Sequence, residues 1–210
     1  MSSGRRAPGR PRLVDLAEPT ETAILRAAAQ LFMEHGYRGV TMEMVADAAG
    51  LTKAAVYYHF HDKASLVVST MERTFEAARS ATQDILDRPL PLRDRLEILA
   101  QVVLGLPHPY IAFDALMHEA LSELTAGQLR TVREAEASVT APLEQALFDA
   151  SAQGEIRTGD PLLLCHSFVA TLRVGQAASP DGRALFPDFD RTAKELVAIF
   201  WRGVAGNQDR

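Results

Sequence analysis

Apolar residues recur three and four positions apart along almost the whole chain, and this spacing constrains the fold more than any other feature of the sequence. Ile24, Ala28, Leu31 and Phe32 are an example, because they share one face of a helix. No segment alternates apolar and polar residues over a strand's length with enrichment in β-branched residues. We therefore predict an all-α fold of about nine helices.

Glycines and capping residues predict the boundaries of the first helices. Gly36 and Gly50 should end the first and second helices, because glycine readily adopts the left-handed conformation found just after a helix. Thr41, Thr52 and Asp62 are good N-caps. We expect them to open a second helix, a short third helix and a long fourth helix that continues to about residue 86.

The second half of the chain has similar signals. A capping box that begins at Thr125 predicts a long helix reaching about residue 153. Pro142 should kink this helix, because proline lacks the amide hydrogen that the helix needs there. Asp160 and Asp188 each lie beside a proline and predict the starts of the last two helices.

Composition and charge limit the class of protein. The chain is 47% apolar and 23% charged, which is typical of a globular protein. The single Cys165 suits a reducing compartment, and no apolar run is long enough for a membrane span, so we predict a soluble cytoplasmic protein. The net charge is −5, yet residues 1–12 contain four arginines and no acid. Any contact with nucleic-acid phosphates should therefore be made by the first quarter of the chain.

The second and third predicted helices have the dimensions of a helix-turn-helix. Gly50 lies in the short connection between them, where a small residue permits a sharp turn. The spacing alone is weak evidence, because many helical proteins contain such a pair for packing reasons. The polar content is more informative, since hydroxyls, amines and an imidazole that could donate to DNA are concentrated here: Thr41, Thr52, Lys53, Tyr57, Tyr58, His59 and Lys63.

Residues 36–66 contain three short motifs: Gly36-Tyr37, Ala49-Gly50-Leu51-Thr52 and the pattern Tyr57-x-x-Phe60-x-x-Lys63. With these motifs, the segment closely resembles the DNA-binding domain of TetR-family repressors. It covers about residues 20–68; beyond them it is supported only by total length, helix count and the stretch Gly154-Glu155-Ile156-Arg157.

The resemblance implies both an architecture and a function. It implies a basic arm (1–19), a three-helix helix-turn-helix domain (20–66) and a six-helix bundle for ligand binding and dimerisation (67–210). The expected function is a ligand-responsive transcriptional regulator, by default a repressor. Its expected partners are near-palindromic double-stranded operator DNA, a small effector and a second copy of the chain.

The same resemblance assigns roles on the DNA-binding surface. It places Thr41 and Tyr57 at the phosphate backbone, with Lys63 capping that surface. It places Thr52, Lys53, Ala54 and Ala55 at the exposed start of the recognition helix, where bases are usually contacted, and it includes Tyr58 and His59. Tyr57 could instead be a half-buried packing residue. Arg10 and Arg12 lie in a sequence similar to arms that read the minor groove, although a merely disordered, soluble tail fits equally well.

The last two predicted helices are apolar over two faces, which indicates burial on both sides. The second face could pack against the same helices of another subunit, or it could lie inside a thick monomeric bundle. The residues predicted for the dimer interface are Leu164, Phe168, Leu172, Leu196, Phe200 and Trp201.

A pocket for a small, largely apolar effector is expected between the helices of the bundle. Its predicted lining is Met71, Phe75, Tyr110, Phe113, Met117, Leu121, Leu147 and Val169, with His118, His166 and Arg173 as polar candidates. For any one of these residues taken alone, ordinary core packing or solvent exposure is favoured over contact with the effector.

Two other classes of function compete with this hypothesis. An enzyme is disfavoured, because the sequence contains no glycine-rich phosphate loop and no HExxH, GxSxG or CxxC motif. We expect no catalytic residue, metal or cofactor. A helical scaffold that binds other proteins would explain the acidic body, but it leaves the tyrosine- and lysine-bearing third helix without a purpose.

Overall fold

The computed structural model describes residues 19–106, 109–157 and 159–205, with the side chains of 109–114 outside the description. Within these residues the chain is all-α, as predicted, and two isolated β-bridges are its only extended pairings there. The helices are α1 (Thr20–Gly39), α2 (Met42–Ala49), α3 (Lys53–His59), α4 (Lys63–Leu86), α5 (Leu92–Gly105), α6 (Pro109–Ala120), α7 (Ala126–Ser138), α8 (Ala141–Ala152), α9 (Pro161–Gly175) and α10 (Phe189–Val204).

The predicted boundaries of the first helices are confirmed. The regular part of α1 ends at Gly36, whose φ of 69° lies in the left-handed region that favours glycine. Thr41 and Thr52 cap α2 and α3, since each hydroxyl oxygen accepts a hydrogen bond from the amide three residues later. Asp62 caps α4 in a reciprocal capping box with Ser65.

The long helix predicted after Thr125 is divided in two. Thr125 does form the expected capping box with Gln128 at the start of α7. The helix then ends at Ser138, and α8 begins three residues later with Pro142 in its first turn. Proline cannot donate a hydrogen bond to the carbonyl four residues before it, so the helix breaks here where only a kink was expected.

Two hydrophobic clusters form the core of the described chain. One joins α1, α2, α3 and the first half of α4 to side chains of α6 and α7. The other joins the end of α4 to α5, α8, α9 and α10. Helix α4 contributes Leu66 and Met71 to the first cluster and Ile85 and Leu86 to the second. Its 24 residues span about 36 Å, so one continuous helix connects both clusters.

None of the helices in the described part of the chain has the length and apolarity needed to cross a membrane. Cys165 lies in the core of the second cluster and is fully buried. Burial raises the pKa of its thiol to about 11, which makes the reactive thiolate rare at neutral pH.

Candidate DNA-binding surface

The connection between α2 and α3 is a tight, well-satisfied turn. Gly50 has a φ of 67°, and nothing lies within 4 Å of the position that a Cβ would take. The amide of Leu51 donates to the carbonyl of Ala46 over 2.9 Å, and the amide of Gly50 donates to Asp47 over 3.1 Å. Two of the free carbonyls at the end of α2 are thereby satisfied by residues of the turn itself, which local sequence determines.

Helix α3 is anchored by a few apolar side chains and presents the rest of its surface to solvent. Val56 is fully buried, and Phe60, just after the helix, is 5% exposed. Tyr58 is 86% exposed and Tyr57 is 44% exposed, while His59 is exposed beside the Tyr58 ring at 5.3 Å between ring centroids. An outward-facing aromatic side chain gains nothing from the core, so these residues are available to an external partner.

Each of the two capping threonines carries a hydroxyl hydrogen, and that of Thr41 is shared with the Glu43 carboxylate. The hydroxyl oxygens of Thr41 and Thr52 accept from backbone amides over 3.2 Å, but a hydroxyl can also donate its own hydrogen. Both residues are exposed. Ala54 is exposed and Ala55 is half-buried, and their small side chains allow the backbone of α3 to approach a partner closely.

Lys53 is not free in this structure. Its ammonium group forms an ion pair with the Glu43 carboxylate of α2 and lies 5.6 Å from the centre of the Tyr57 ring. The sequence argument did not identify Glu43. An acidic residue in the first turn of a helix is ordinarily explained by the helix dipole, so nothing in the sequence suggested a contact with α3.

Lys63 points toward the end of α1 and away from solvent. Its ammonium donates to the carbonyls of Tyr37 at 3.0 Å and Val40 at 3.2 Å, and it lies 4.3 Å from the centre of the Tyr37 ring. Lys63 is half-buried. These contacts tie the start of α4 to the end of α1, so the side chain supports the DNA-binding surface from behind.

The end of α1 is also tied to the chain around α6. The Tyr37 hydroxyl donates to the Glu123 carboxylate at 2.9 Å, and the Arg38 amide donates to the Glu119 carboxylate at 3.0 Å. Burial, reinforced by the Glu123 carboxylate, raises the pKa of Tyr37 well above its usual range. Sequence reasoning missed both glutamates, because more than 80 residues separate each of them from its partner.

The predicted effector residues lie in different parts of the described structure. Met71 and Met117 are buried in the first cluster with Phe75 packed against it, whereas Leu147 and Val169 belong to the second. Four others are exposed: His118, Leu121, His166 and Arg173. The side chains of Tyr110 and Phe113, like the arm residues Arg10 and Arg12, lie outside the described residues.

A cleft of about 140 Å³ lies elsewhere, between the end of α4, the start of α5 and α8. No residue predicted to bind the effector lines it. Its walls are mainly polar and include Gln83, Asp87, Arg95, Asp149 and Glu155. This lining does not match the apolar pocket that the sequence led us to expect.

The residues predicted for the dimer interface differ in their exposure within the protomer. Phe168 is fully buried within its own protomer and packs against Phe200 with ring centroids 5.1 Å apart; Leu172 and Trp201 are buried as well. Leu164 and Leu196 are partly buried against the same core. Phe168 has no exposed surface and cannot contact a second subunit in this conformation, whereas Leu164 and Leu196 keep exposed surface and their role at the interface stays a prediction. The sequence pattern identified apolar faces but could not show which face points outward.

Helix α1 and the two threonine-capped helices α2 and α3, with a tight turn before an exposed third helix, define a helix-turn-helix protein. The profile of the family described as "Bacterial regulatory proteins, tetR family" matches residues 24–70, which is this unit and the start of α4. Residues 24–70 thus match the DNA-binding unit of the TetR family.

Two curated relatives illustrate the similarity. ArpR of Pseudomonas putida, a probable HTH-type transcriptional regulator, is 33% identical over 96 residues, which cover 43% of this chain and 44% of ArpR. UidR of Escherichia coli K12, an HTH-type transcriptional regulator, is 24% identical over 142 residues, 67% of this chain and 70% of UidR. The chain thus spans less than half the length of ArpR in the match.

One solved structure matches almost the whole fold. AibR, in complex with isovaleryl coenzyme A and operator DNA, superposes with a TM-score of 0.62 at 24% identity and covers 86% of this chain and 97% of AibR. At this identity the likeness shows that the two chains share their fold.

Proposed function

We propose that this protein is a transcriptional regulator that binds operator DNA as a homodimer and releases it when a small molecule binds the helical body. The main support is the exposure of the third helix. Thr52 caps this helix and Val56 anchors it, while its outer side carries exposed polar and aromatic side chains. The family match over residues 24–70 supports it, and so does the shared fold with AibR, whose structure contains operator DNA and isovaleryl coenzyme A. The activity is binding, without catalysis, and operates in the cytoplasm.

The outer residues of the helix-turn-helix would contact different parts of the DNA. Thr41 and Tyr57 would donate to phosphates, and Thr52 and Lys53 would reach base edges in the major groove. Ala54 and Ala55 would allow close approach of the helix. Tyr58 and His59 would contact the backbone or bases beside the groove, and Arg10 and Arg12 of the arm would enter the minor groove.

The proposed dimer interface consists of the exposed stripes of α9 and α10. Leu163, Ala170 and Val174 follow one another along α9 at helical spacing, and Ile199 and Gly203 do so on α10. Leu163, Val174 and Ile199 are each more than half exposed. Exposed apolar side chains beside an alanine and a glycine allow two helices to pack closely, as in a two-fold four-helix contact.

The effector would act through α4 and α6. We propose that it binds near Met71, Phe75 and Met117, where these helices share one cluster, with Tyr110 and Phe113 nearby in the chain.

The chain would have three functional parts: the arm (1–19), the DNA-binding unit (20–66) and the body (67–210). Because α4 follows directly from the recognition helix, a small swing of α4 in each subunit would move the two recognition helices. Their separation would then no longer match the spacing of about 34 Å between successive major grooves.

The test is DNA binding by the purified chain. Fluorescence anisotropy with the DNA upstream of its own gene should give tight binding, and replacement of residues 52–55 should change which sequences are preferred when binding sites are selected from random DNA. Tyr57→Ala should weaken binding to all sequences alike, because phosphate contacts carry no sequence information. A chain that binds neither its upstream DNA nor any selected sequence would contradict the proposed function and favour a protein-binding scaffold.

A further inference from the structure

The two helices of the DNA-binding surface carry more negative than positive formal charge. Between Met42 and His59 the acidic residues are Glu43 and Asp47, and Lys53 is the only lysine or arginine. A surface that binds a polyanion ordinarily avoids carboxylates, because each one repels phosphates at close range. The position of Glu43 therefore calls for a physical explanation.

The structure connects this carboxylate to the one cationic side chain of the recognition helix. Glu43 lies in the first turn of α2 and Lys53 is the first residue of α3, and their side chains form an ion pair across the helix-turn-helix. The Lys53 ammonium is further restrained by the Tyr57 ring one turn along α3. In the free protein, the positive charge is thus neutralised and directed toward α2.

The ionisation of both groups supports a lasting pair. The hydrogen bond between the two side chains lowers the pKa of Glu43 and raises the pKa of Lys53. Both groups are therefore charged throughout the neutral range. Both side chains are also about half exposed, so the pair is weak enough for DNA to compete with it.

We propose that Glu43 is a specificity-determining residue: by holding the Lys53 ammonium, it stops this lysine from making a sequence-independent contact with a phosphate. This inference rests on the proposed function. Every DNA sequence offers a phosphate, and a lysine that donates to a phosphate must leave Glu43. An ammonium has three donors, so at the right base Lys53 would donate to guanine O6 and N7 and keep its third hydrogen bond to Glu43. The pair therefore penalises non-specific binding more than operator binding.

The experiment measures binding to a random-sequence duplex and to a duplex selected by the wild-type protein, between 50 and 200 mM salt. The variant Glu43→Gln keeps the side-chain length and removes the charge. Asp47→Asn is the matched control, since it removes an exposed carboxylate of the same helix that has no contact with Lys53 among those described. Lys53→Met and the double variant Glu43→Gln/Lys53→Met complete the set, and circular dichroism verifies that all four are folded.

We expect Glu43→Gln to bind the random duplex about three to ten times more tightly than Asp47→Asn at 50 mM salt. The slope of log affinity against log salt should steepen by about 0.9, because one additional phosphate is neutralised. Affinity for the selected duplex should rise less, so discrimination falls. In the Lys53→Met background, the effect of Glu43→Gln should shrink to that of Asp47→Asn.

Equal effects of Glu43→Gln and Asp47→Asn would overturn the inference, as would an excess that persists without Lys53. Either result leaves the proposed function intact, provided that the wild-type protein discriminates between the two duplexes. Failure of the wild-type protein to bind any duplex would overturn the proposed function itself, and the inference with it.

Discussion

The Tyr37 hydroxyl donates a hydrogen bond to the Glu123 carboxylate over 2.9 Å and so joins the end of α1 to the turn that follows α6. The Tyr37 ring is fully buried and stacks with Phe32 at 6.1 Å between centroids. The ammonium of Lys63, at the start of α4, lies 4.3 Å from the centre of the same ring. Tyr37 is thus the point where the helix that precedes the DNA-binding surface, the helix that follows it and the chain near α6 all meet.

Removal of the Tyr37 hydroxyl should destabilise the fold moderately. Tyr37→Phe keeps the ring packing and loses one hydrogen bond to a charged acceptor, so we expect the free energy of unfolding to fall by about 1–2 kcal/mol. The measurement is the midpoint of urea denaturation. Tyr58→Phe is the control, because that side chain is 86% exposed and should change stability by less than about 0.5 kcal/mol. Equal stability of wild-type and Tyr37→Phe proteins would show that the bond does not contribute.

The same hydroxyl predicts a dependence on alkaline pH. The pKa of Tyr37 is raised in the folded state, so its contribution is complete below the ordinary tyrosine pKa of 10.0 and is lost as the pH rises above it. Above pH 10 the unfolded chain releases this proton while the folded chain retains it. The unfolding free energy of the wild-type protein should therefore fall more steeply with pH than that of Tyr37→Phe. Parallel curves for the two proteins between pH 9 and 11 would contradict the assignment.

Lys63 and Lys53 should respond differently to the same substitution. Lys63→Met removes an ammonium that donates to two backbone carbonyls in a half-buried position, and we expect a loss of about 1–2 kcal/mol of stability together with weaker DNA binding. Lys53→Met changes an exposed side chain and should leave the denaturation midpoint unchanged. Urea denaturation and anisotropy on the same samples separate the two effects. A Lys63→Met protein of wild-type stability that binds DNA poorly would instead indicate a direct phosphate contact.

Two glycines with positive φ should differ in their tolerance of alanine. At Gly50 a Cβ would meet nothing within 4 Å, so Gly50→Ala should cost only the conformational strain, about 1 kcal/mol. At Gly36 a Cβ would lie 2.9 Å from the Glu119 carboxylate, which already accepts from the Arg38 amide. Gly36→Ala should therefore cost more than Gly50→Ala in thermal denaturation. The reverse order would mean that Glu119 moves away without loss.

The proposed dimer interface can be separated from the protomer core. Ile199→Glu places a carboxylate on the exposed stripe of α10, where the folded protomer tolerates it but a dry contact between subunits does not. We expect a folded monomer by sedimentation and circular dichroism. Phe148→Glu, at an exposed apolar position of α8, should remain a dimer, and Phe168→Glu should fail to fold because that ring is fully buried. A folded, dimeric Ile199→Glu protein would place the interface elsewhere.

Local signals account for what the sequence alone determined. The helical class, the end of α1 at Gly36, the caps at Thr41 and Thr52 and the turn at Gly50 depend on residues within four positions of one another. Backbone conformation and capping hydrogen bonds act over that range, so they can be predicted from the sequence alone. The family resemblance rests on the same short segment.

Only the tertiary structure decided which side chains meet across the chain and which helix faces point outward. The sequence pattern made α9 and α10 apolar on two sides, but burial placed Phe168 in the core and left Ile199 exposed. The contacts of Tyr37 with Glu123 and of Lys53 with Glu43 depend on how helices pack, because a charged or polar residue on a helix surface has the same local sequence whether or not a partner lies opposite. Packing is the sum of many weak contacts between residues far apart in the sequence. Which side chains meet and which faces are exposed is therefore determined only when all the helices are in place.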